Sequence, residues 1–388
     1  MPVLNHIASR TDEIAAWRHD FHRHPELMYE LPRTSAAVAE HLRAFGCDEV
    51  VTGLGRTGVV GIVHGRGEGP LIGLRADMDA LPIVERTGAA YASSNPGVMH
   101  ACGHDGHTAM LLGAARHLAE TRAFSGTAVL IFQPAEEGGA GARAMIDDGL
   151  FDRFPVREVY GMHNLPGLPV GRFAMRPGGI MASSDRVEIL VEGQGAHAAR
   201  PHLGMDVVLA GAAIVTALQQ IVARNIDPLD SAVVSIPVFH AGEADNVLPP
   251  VARLAGTIRS LDPRVRDQLR GNIVRVAEGV AAAHGVCASV SFSQGYPVTR
   301  NHVAQTAFAA EVAAEVAGVG EVDPEAPPLM AAEDFAFMLE EKPGAYIFIG
   351  NGPSADLHHP EYDFADGAIP FGASYWVRLV ERALPLTA

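Results

Sequence analysis

The chain has 388 residues, 48% of them hydrophobic and 19% charged, with a formal net charge of −16 at pH 7. That length favours two domains over one, and the acidic balance argues against nucleic acid and anionic membrane surfaces as partners, because both need a basic face. Its three cysteines, Cys47, Cys102 and Cys287, are no disulfide framework and fit a reducing cytoplasm.

The first ten residues carry no apolar core of signal-peptide length, and no uninterrupted apolar run is expected to cross a bilayer. Residues 18–29, RHDFHRHPELMY, hold His19, His22 and His24. These are candidate ligands, but a solvated helix end stopped near Pro25 is the heavier reading. Residues 34–45 repeat at helical spacing, with Gly46 as the stop. Residues 59–63 and 71–76 read as strands. The second ends in Asp77-Met78-Asp79, where a carboxylate orients a ligating histidine or, equally, caps a turn.

His100-Ala101-Cys102-Gly103-His104-Asp105-Gly106-His107 packs three imidazoles, a thiol and a carboxylate into a glycine-punctuated loop. Thiol and imidazole are soft or borderline metal ligands. Gly103 lets Cys102 and His104 turn to one ion. An alanine-rich helix is expected over residues 108–120. A buried strand, residues 127–133, then ends in Pro134-Ala135-Glu136-Glu137-Gly138. Adjacent glutamates point in different directions, so one can hold a metal while the other takes a proton from water. The alternative is a pair of acids complementing a helix dipole, which the following glycines weaken. The strand at residues 156–162 ends at His163, alone a structural histidine. Here it is the third strand to deliver ligand chemistry at its carboxyl end, the edge where open α/β sheets place their sites.

From Ser183 the pattern changes to strand, helix, strand, strand, helix, strand, the first five over residues 186–192, 207–223, 231–239, 253–260 and 264–284. That is an antiparallel sheet with helices on one face, an inserted α+β domain over residues 183–294. Within it His197 can donate to an oxyanion and Arg259 can hold a carboxylate. For these two and for Asn246, ordinary turn or surface chemistry is the heavier reading. The remainder returns to α/β character. Glu333 and Asp334 are expected at a helix start, where capping explains them. A buried strand over residues 345–350 precedes Leu357-His358-His359-Pro360, and a helix over residues 371–384 closes the chain. The fold class is therefore α/β. A mixed, mostly parallel sheet flanked by helices is built from residues 1–182 and 295–388, and a smaller α+β domain is inserted.

With Cys102-Gly103-His104-Asp105, Pro134-Ala135-Glu136-Glu137-Gly138, His163 and Leu357-His358-His359-Pro360 in hand, the chain resembles the amidohydrolase branch of the aminoacylase/carboxypeptidase-like metallopeptidases. That branch includes hippurate hydrolases, N-acyl-amino-acid amidohydrolases and plant enzymes that cleave indole-3-acetyl-amino-acid conjugates. The likeness runs from His22-Arg23-His24-Pro25-Glu26 through Arg75-Ala76-Asp77-Met78-Asp79 to Glu361-Tyr362. It implies two divalent metal ions, with Cys102 bridging them and His104, Glu137, His163 and His358 as the other ligands. Glu136 is implied as general base. Manganese comes first, with zinc, nickel or cobalt as alternatives. The inserted domain is implied to be a lid that also pairs protomers into a homodimer or homotetramer. Its His197 would hold the tetrahedral intermediate, often in the partner's active site, and Asn246 and Arg259 would face the substrate. Many wider relatives carry His-x-Asp where Asp77-Met78-Asp79 stands, and a carboxylate bridge in place of the thiol. This leaves Asp77 and Asp79 as supports behind the ligands rather than settled ligands. The implied reaction is amide hydrolysis of an N-acyl amino acid, hippurate-like or N-acetylated. An N-acetyl-diaminopimelate-type deacetylase and a small acyl-peptide hydrolase are the nearest alternatives. A non-catalytic binder of acyl amino acids is more remote, because a binder needs no base.

Overall fold

The computed structural model describes residues 3–386, without the side chain of Gln294. The chain forms two compact units. One comprises Met1–Ile180, Arg300–Pro327 and Asp334–Ala388, and the other Met181–Thr299 and Pro328–Glu333.

The first unit is built on an eight-stranded sheet. Its strands, edge to edge, are Glu49–Leu54, Gly58–His64, Ser125–Gln133, Gly67–Asp77, Glu158–Leu165, Gly344–Gly350, Phe173–Ala174 and Val322–Asp323. Ser125–Gln133, Gly67–Asp77, Glu158–Leu165 and Gly344–Gly350 are neighbours running parallel. Their carboxyl ends therefore share one edge of the sheet, and whatever chemistry follows each strand is delivered there. Ser125–Gln133 is buried at every position and Gly344–Gly350 likewise, the continuous apolar character of strands covered on both faces. The helices His104–Thr121, Thr11–Arg23, Val303–Ala317 and Ile369–Ala383 contribute to the same core, in which Leu111, Leu118, Phe132, Trp376 and Leu379 are fully or almost fully enclosed. Pro32 opens the helix Pro32–Phe45, and Gly46, at φ 83°, closes it as its spacing predicts. The antiparallel strand Glu49–Leu54 was not expected. Its mostly exposed and half-exposed residues give no run of apolar side chains to read.

Two expectations are corrected here. The helix does stop just before Pro25, at Arg23, but its end is not solvated. The helix Thr11–Arg23 buries Arg18 and His22 completely. Acids compensate them. Arg18 Nε donates to Asp105 Oδ2 at 2.7 Å, and the two ring nitrogens of His22 lie 2.9 Å from Asp105 Oδ2 and 3.2 Å from Glu85 Oε1. Nor does Asp334 cap a helix. The helix Ala336–Glu341 starts two residues later and has no side-chain cap.

The buried cluster makes a pH prediction. Burial opposes a charge on His22, but Asp105 and Glu85 outweigh it and raise the imidazole to about 9 from 6.5. Burial also opposes the Glu85 charge, but His22, Thr87 and the Ser93 N–H lower that carboxyl to about 2 from 4.5. The His22 contribution to stability is complete below its unfolded value and is lost as pH rises through its folded one. The Glu85 contribution is complete above its unfolded value and is lost as pH falls through its folded one. The ion pair is thus strongest between 4.5 and 6.5. A His22→Gln variant should melt well below the parent near pH 6 and approach it near pH 10. Thermal melts at both values check this, and an equal gap at the two would show that His22 is uncharged in the folded protein.

The second unit is a four-stranded antiparallel sheet in the order Ala232–Ala241, Val251–Ser260, Asp185–Glu192, Cys287–Gln294. Two helices share its core, Val207–Gln220 and Pro263–Ala283. Asp206 accepts hydrogen bonds from the N–H groups of Val208 and Leu209, and Asp262 from that of Arg264 beside Pro263, so both helices carry the start signals their sequences promise. By length and composition the helical stretch Val207–Asn225 is apolar enough to cross a membrane, but Thr216, Gln219, Gln220 and Arg224 interrupt it, so it is not the uninterrupted run whose absence was expected. Its Val207, Ala210, Ile214, Leu218 and Ile221 are buried in the core of this unit, which accounts for one apolar face, while Val208, Leu209 and Val222 are exposed.

Candidate metal centre

The helix His104–Thr121 starts inside the histidine-rich loop, four residues earlier than its periodicity predicts. Gly103, its N-cap, stands at φ 83°. A Cβ there would meet Asn164 Nδ2 at 2.4 Å and Tyr362 Oη at 2.5 Å. Only glycine lets the loop pass that close, and it leaves Cys102 and His104 side by side at the sheet edge. Cys102 Sγ lies 3.4 Å from His163 Nε2. His358 Nε2 is 3.3 Å from Glu137 Oε1, and His104 Nε2 is 3.9 Å from the same oxygen. The donor atoms of Cys102, His104 and His163 all fall within 4.8 Å of one another, as do those of Cys102, Glu137 and His358. Cys102 belongs to both sets. His358 adopts φ 65°, and its N–H donates to Ala101 O at 2.8 Å, so the loop after the strand Gly344–Gly350 is tied directly to the cysteine loop.

Hydrogen bonds decide which imidazoles are available. His104 Nδ1 lies 2.8 Å from the carbonyl oxygen of Asp79. A carbonyl only accepts, so Nδ1 keeps a proton and Nε2 is the nitrogen that can turn a lone pair to a metal once its own proton is displaced. That Nε2 is buried and has no hydrogen-bond partner. His163 Nδ1 is held in the same way by Asn164 O at 2.6 Å, with Nε2 towards Cys102. His107 differs. Its Nδ1 meets Asp77 Oδ1 at 2.6 Å, while its Nε2 accepts the Asn164 N–H at 2.9 Å. Both nitrogens are spent, so His107 supports the site and is no ligand. Asp77 also accepts from Arg75 Nη1 at 2.7 Å.

Asp79 holds the acidic loop. Its Oδ1 accepts the Glu136 N–H at 2.9 Å and its Oδ2 the Glu137 N–H at 3.1 Å. Glu136 is 6% exposed, and its Oε1 accepts the Asp334 N–H at 3.4 Å. One of its oxygens lies within 4.8 Å of His104 and Glu137 donor atoms.

The electrostatics describe a hollow suited to cations. Burial, then Glu137, Glu136 and Asp77, push the Cys102 thiol well above its usual range. Burial also raises Asp79. Burial opposes charge on His104, but Asp77, Asp79 and Glu137 hold it up at about 10. Burial keeps His163 neutral, with His107 adding to the effect. A thiol and carboxylates crowded this closely, beside an orphaned imidazole nitrogen, are the donor set that a divalent ion satisfies: it replaces the protons and removes the repulsion. The residues present therefore fit a pair of divalent metal ions.

Of the residues proposed from sequence, the structure brings together Cys102, His104, Glu137, His163, His358 and Glu136, with Asp77 and Asp79 behind them. His197, Asn246 and Arg259 all lie in the second unit. His197 is exposed and pairs with Val247 across a short two-stranded ladder, and the Ala198 N–H donates to Asn246 O at 2.9 Å. Arg259 sits in the strand Val251–Ser260, half-buried, opposite Val233. Sequence reasoning missed Arg75, His107, Asn164 and Asp334. A lone arginine in LIGLRAD was the available signal, because a buried guanidinium demands acids.

An α/β sheet whose carboxyl edge gathers a thiol, imidazoles and paired glutamates carries a candidate site for two divalent ions where open α/β sheets place their chemistry. The profile described as Peptidase family M20/M25/M40 matches residues 73–382, and the chain belongs to that family. It is 42% identical to the hippurate hydrolase of Campylobacter jejuni, over 99% of this chain and 100% of that one. It is 42% identical to the N-acetyl-L-cysteine deacetylase of Bacillus subtilis, over 93% and 85%. The crystal structure of the Bacillus subtilis YXEP protein, described as a dinuclear metal binding peptidase of the M20 family, superposes with a TM-score of 0.86 at 34% identity, covering 97% of this chain and 99% of that one.

Proposed function

We propose that the protein hydrolyses the amide bond of N-acyl amino acids, hippurate-like or N-acetylated, releasing a carboxylic acid and a free amino acid. The observation that carries this is Cys102 standing in two donor sets at once, beside a second glutamate, Glu136, that neither set includes. Cys102, His104, Glu137, His163 and His358 would hold two divalent ions, and such ions would supply Lewis acidity to the scissile carbonyl and to water. Glu136 takes the proton from the attacking water and hands it to the departing amine nitrogen, so that the leaving group departs neutral. Asp77 and Asp79 stay behind the ligands. Asp79 fixes the backbone of both glutamates, and Asp77 fixes His107.

The second unit serves as lid and dimerisation module in this reading. His197 donates to the oxyanion, in its own or the partner's site, and Asn246 and Arg259 bind the substrate, Arg259 through the amino-acid carboxylate. We assign manganese as the working metal, a homodimer or homotetramer as the assembly and the cytoplasm as the compartment, the last supported by three unpaired cysteines.

A substrate panel tests the reading. Manganese-loaded protein should release amino acid from hippurate or an N-acetyl amino acid, lose that activity to a chelator and regain it with manganese. Preference for N-acetyl-diaminopimelate or short acyl-peptides would move the substrate class. Two bound ions with no release from any acyl amino acid would leave only a binding protein.

A further inference from the structure

Glu136 and Glu137 ride on a loop, residues 134–141, whose backbone is unusual at both ends. Ala135 stands at φ 54° and Ala140 at φ 56°, a left-handed conformation that side-chain-bearing residues avoid. At Gly141 a Cβ would meet Pro134 O at 1.6 Å, so the loop closes on itself. Such strain persists only where surrounding groups fix it. Asp79 grips the middle of the loop, as described above. Its two ends are gripped by a residue far away in the chain, Asp334, which is 0% exposed.

Asp334 Oδ1 accepts from Gln133 Nε2 at 2.8 Å, on the residue before the loop, and from Arg75 Nη2 at 3.0 Å. Its Oδ2 accepts the Ala142 N–H at 2.9 Å, on the residue just after the loop. Its own N–H reaches Glu136 Oε1 at 3.4 Å. The Gln133 amide cannot turn over, because its Oε1 accepts from Arg75 Nε at 2.8 Å. One carboxylate therefore pins the entry and exit of the loop, and the same residue's backbone touches the glutamate that works as base.

We propose that Asp334 is a positioning residue for Glu136, setting the aim of its carboxylate by clamping residues 134–141 at both ends. The inference rests on the reading of Glu136 as general base. Asp334 acts through Glu136 and touches no reacting atom. The substitution Asp334→Asn would keep one acceptor but turn an amide N–H₂ against the Gln133 amide or the Ala142 N–H, donor facing donor. It would also remove one of the anions that Arg75 pairs with.

The test uses the full-length, metal-loaded enzyme and an N-acyl amino acid that it cleaves. Asp334→Asn should keep two ions per chain and an unchanged KM while kcat falls about a hundred-fold, the cost of a misplacement of about 1 Å. The double variant Gln133→Glu, Asp334→Asn restores the pattern, since a carboxylate at position 133 accepts from both Arg75 and the new amide. It should recover most of the lost kcat. If the single variant does not fold, the double variant decides. The proposal is overturned if Asp334→Asn keeps the parental kcat, if excess metal alone restores it, or if the folded, metal-loaded double variant stays as slow as the single. An active Glu136→Gln variant would instead remove the base reading itself, and the two failures are thus told apart.

Discussion

A Glu136→Gln variant should bind both metal ions as the parent does and lose nearly all turnover. Glutamine has the shape of glutamate, and its Oε1 can still accept the Asp334 N–H that now meets Glu136 at 3.4 Å. The Asp79 contacts to the loop are to backbone N–H groups and are indifferent to the side chain at position 136. Neither Cys102-containing donor set includes Glu136, so metal content should stand. What glutamine lacks is a basic oxygen at neutral pH. Proton transfer by a positioned carboxylate is worth roughly 10²–10⁴-fold, and in the proposed mechanism the same group serves twice, on the water and on the leaving nitrogen, so the loss should sit at or above the upper end of that range. Elemental analysis and kcat on the same preparation decide the matter. Parental turnover with two ions bound would remove Glu136 from the chemistry.

Much of this was legible in the sequence because of where the signals fall. TAVLIFQ and AYIFIG are continuous apolar runs, and a run of that kind can only be a buried strand when breakers bound it. Each buried strand is followed by residues that no core would take, such as the glutamates after Gln133 and the imidazoles after Gly350. Hydrophobic pattern and chemistry thus mark the same edge from opposite sides. The unread part has one physical cause: hydrogen bonds between residues distant in the chain. Arg75 and Asp334 are 259 positions apart, and His22 and Asp105 are 83 apart. No local pattern announces such pairs, so Asp334 looked like a helix cap and His22 like a solvated end. Between His104 and His107 the residue types alone offer no ranking, and in the sequence only the family likeness singles out His104. The choice is made by the carbonyl of Asp79, which frees one nitrogen of His104, and by Asp77 with Asn164, which consume both nitrogens of His107.

A Cys102→Ala variant should lose metal and activity together while the fold survives. The thiol is 6% exposed and packed as a small side chain, and alanine in its place leaves a gap of one sulfur atom in a unit with an extensive core. The melting temperature of the metal-free protein should therefore move little. The metal is another matter. One sulfur stands in both donor sets, so under the proposed assignment its removal would take a ligand from each ion at once, and His104, His163, Glu137 and His358 would be left as two incomplete pairs. Cys102→Ser sharpens the test, because a hydroxyl is the same shape but far less acidic than a thiol, and a bridging position requires the anion. Metal content should drop in both variants. Cobalt-loaded parent should show a thiolate-to-metal charge-transfer band in the near ultraviolet, and that band should be absent from both. Loading with metal should also release a proton from Cys102, whose thiol burial and the neighbouring carboxylates otherwise keep protonated. Two ions per chain in Cys102→Ala would refute the bridge: the ions would then be held by imidazole and carboxylate alone, and the sulfur would be a packing residue beside them.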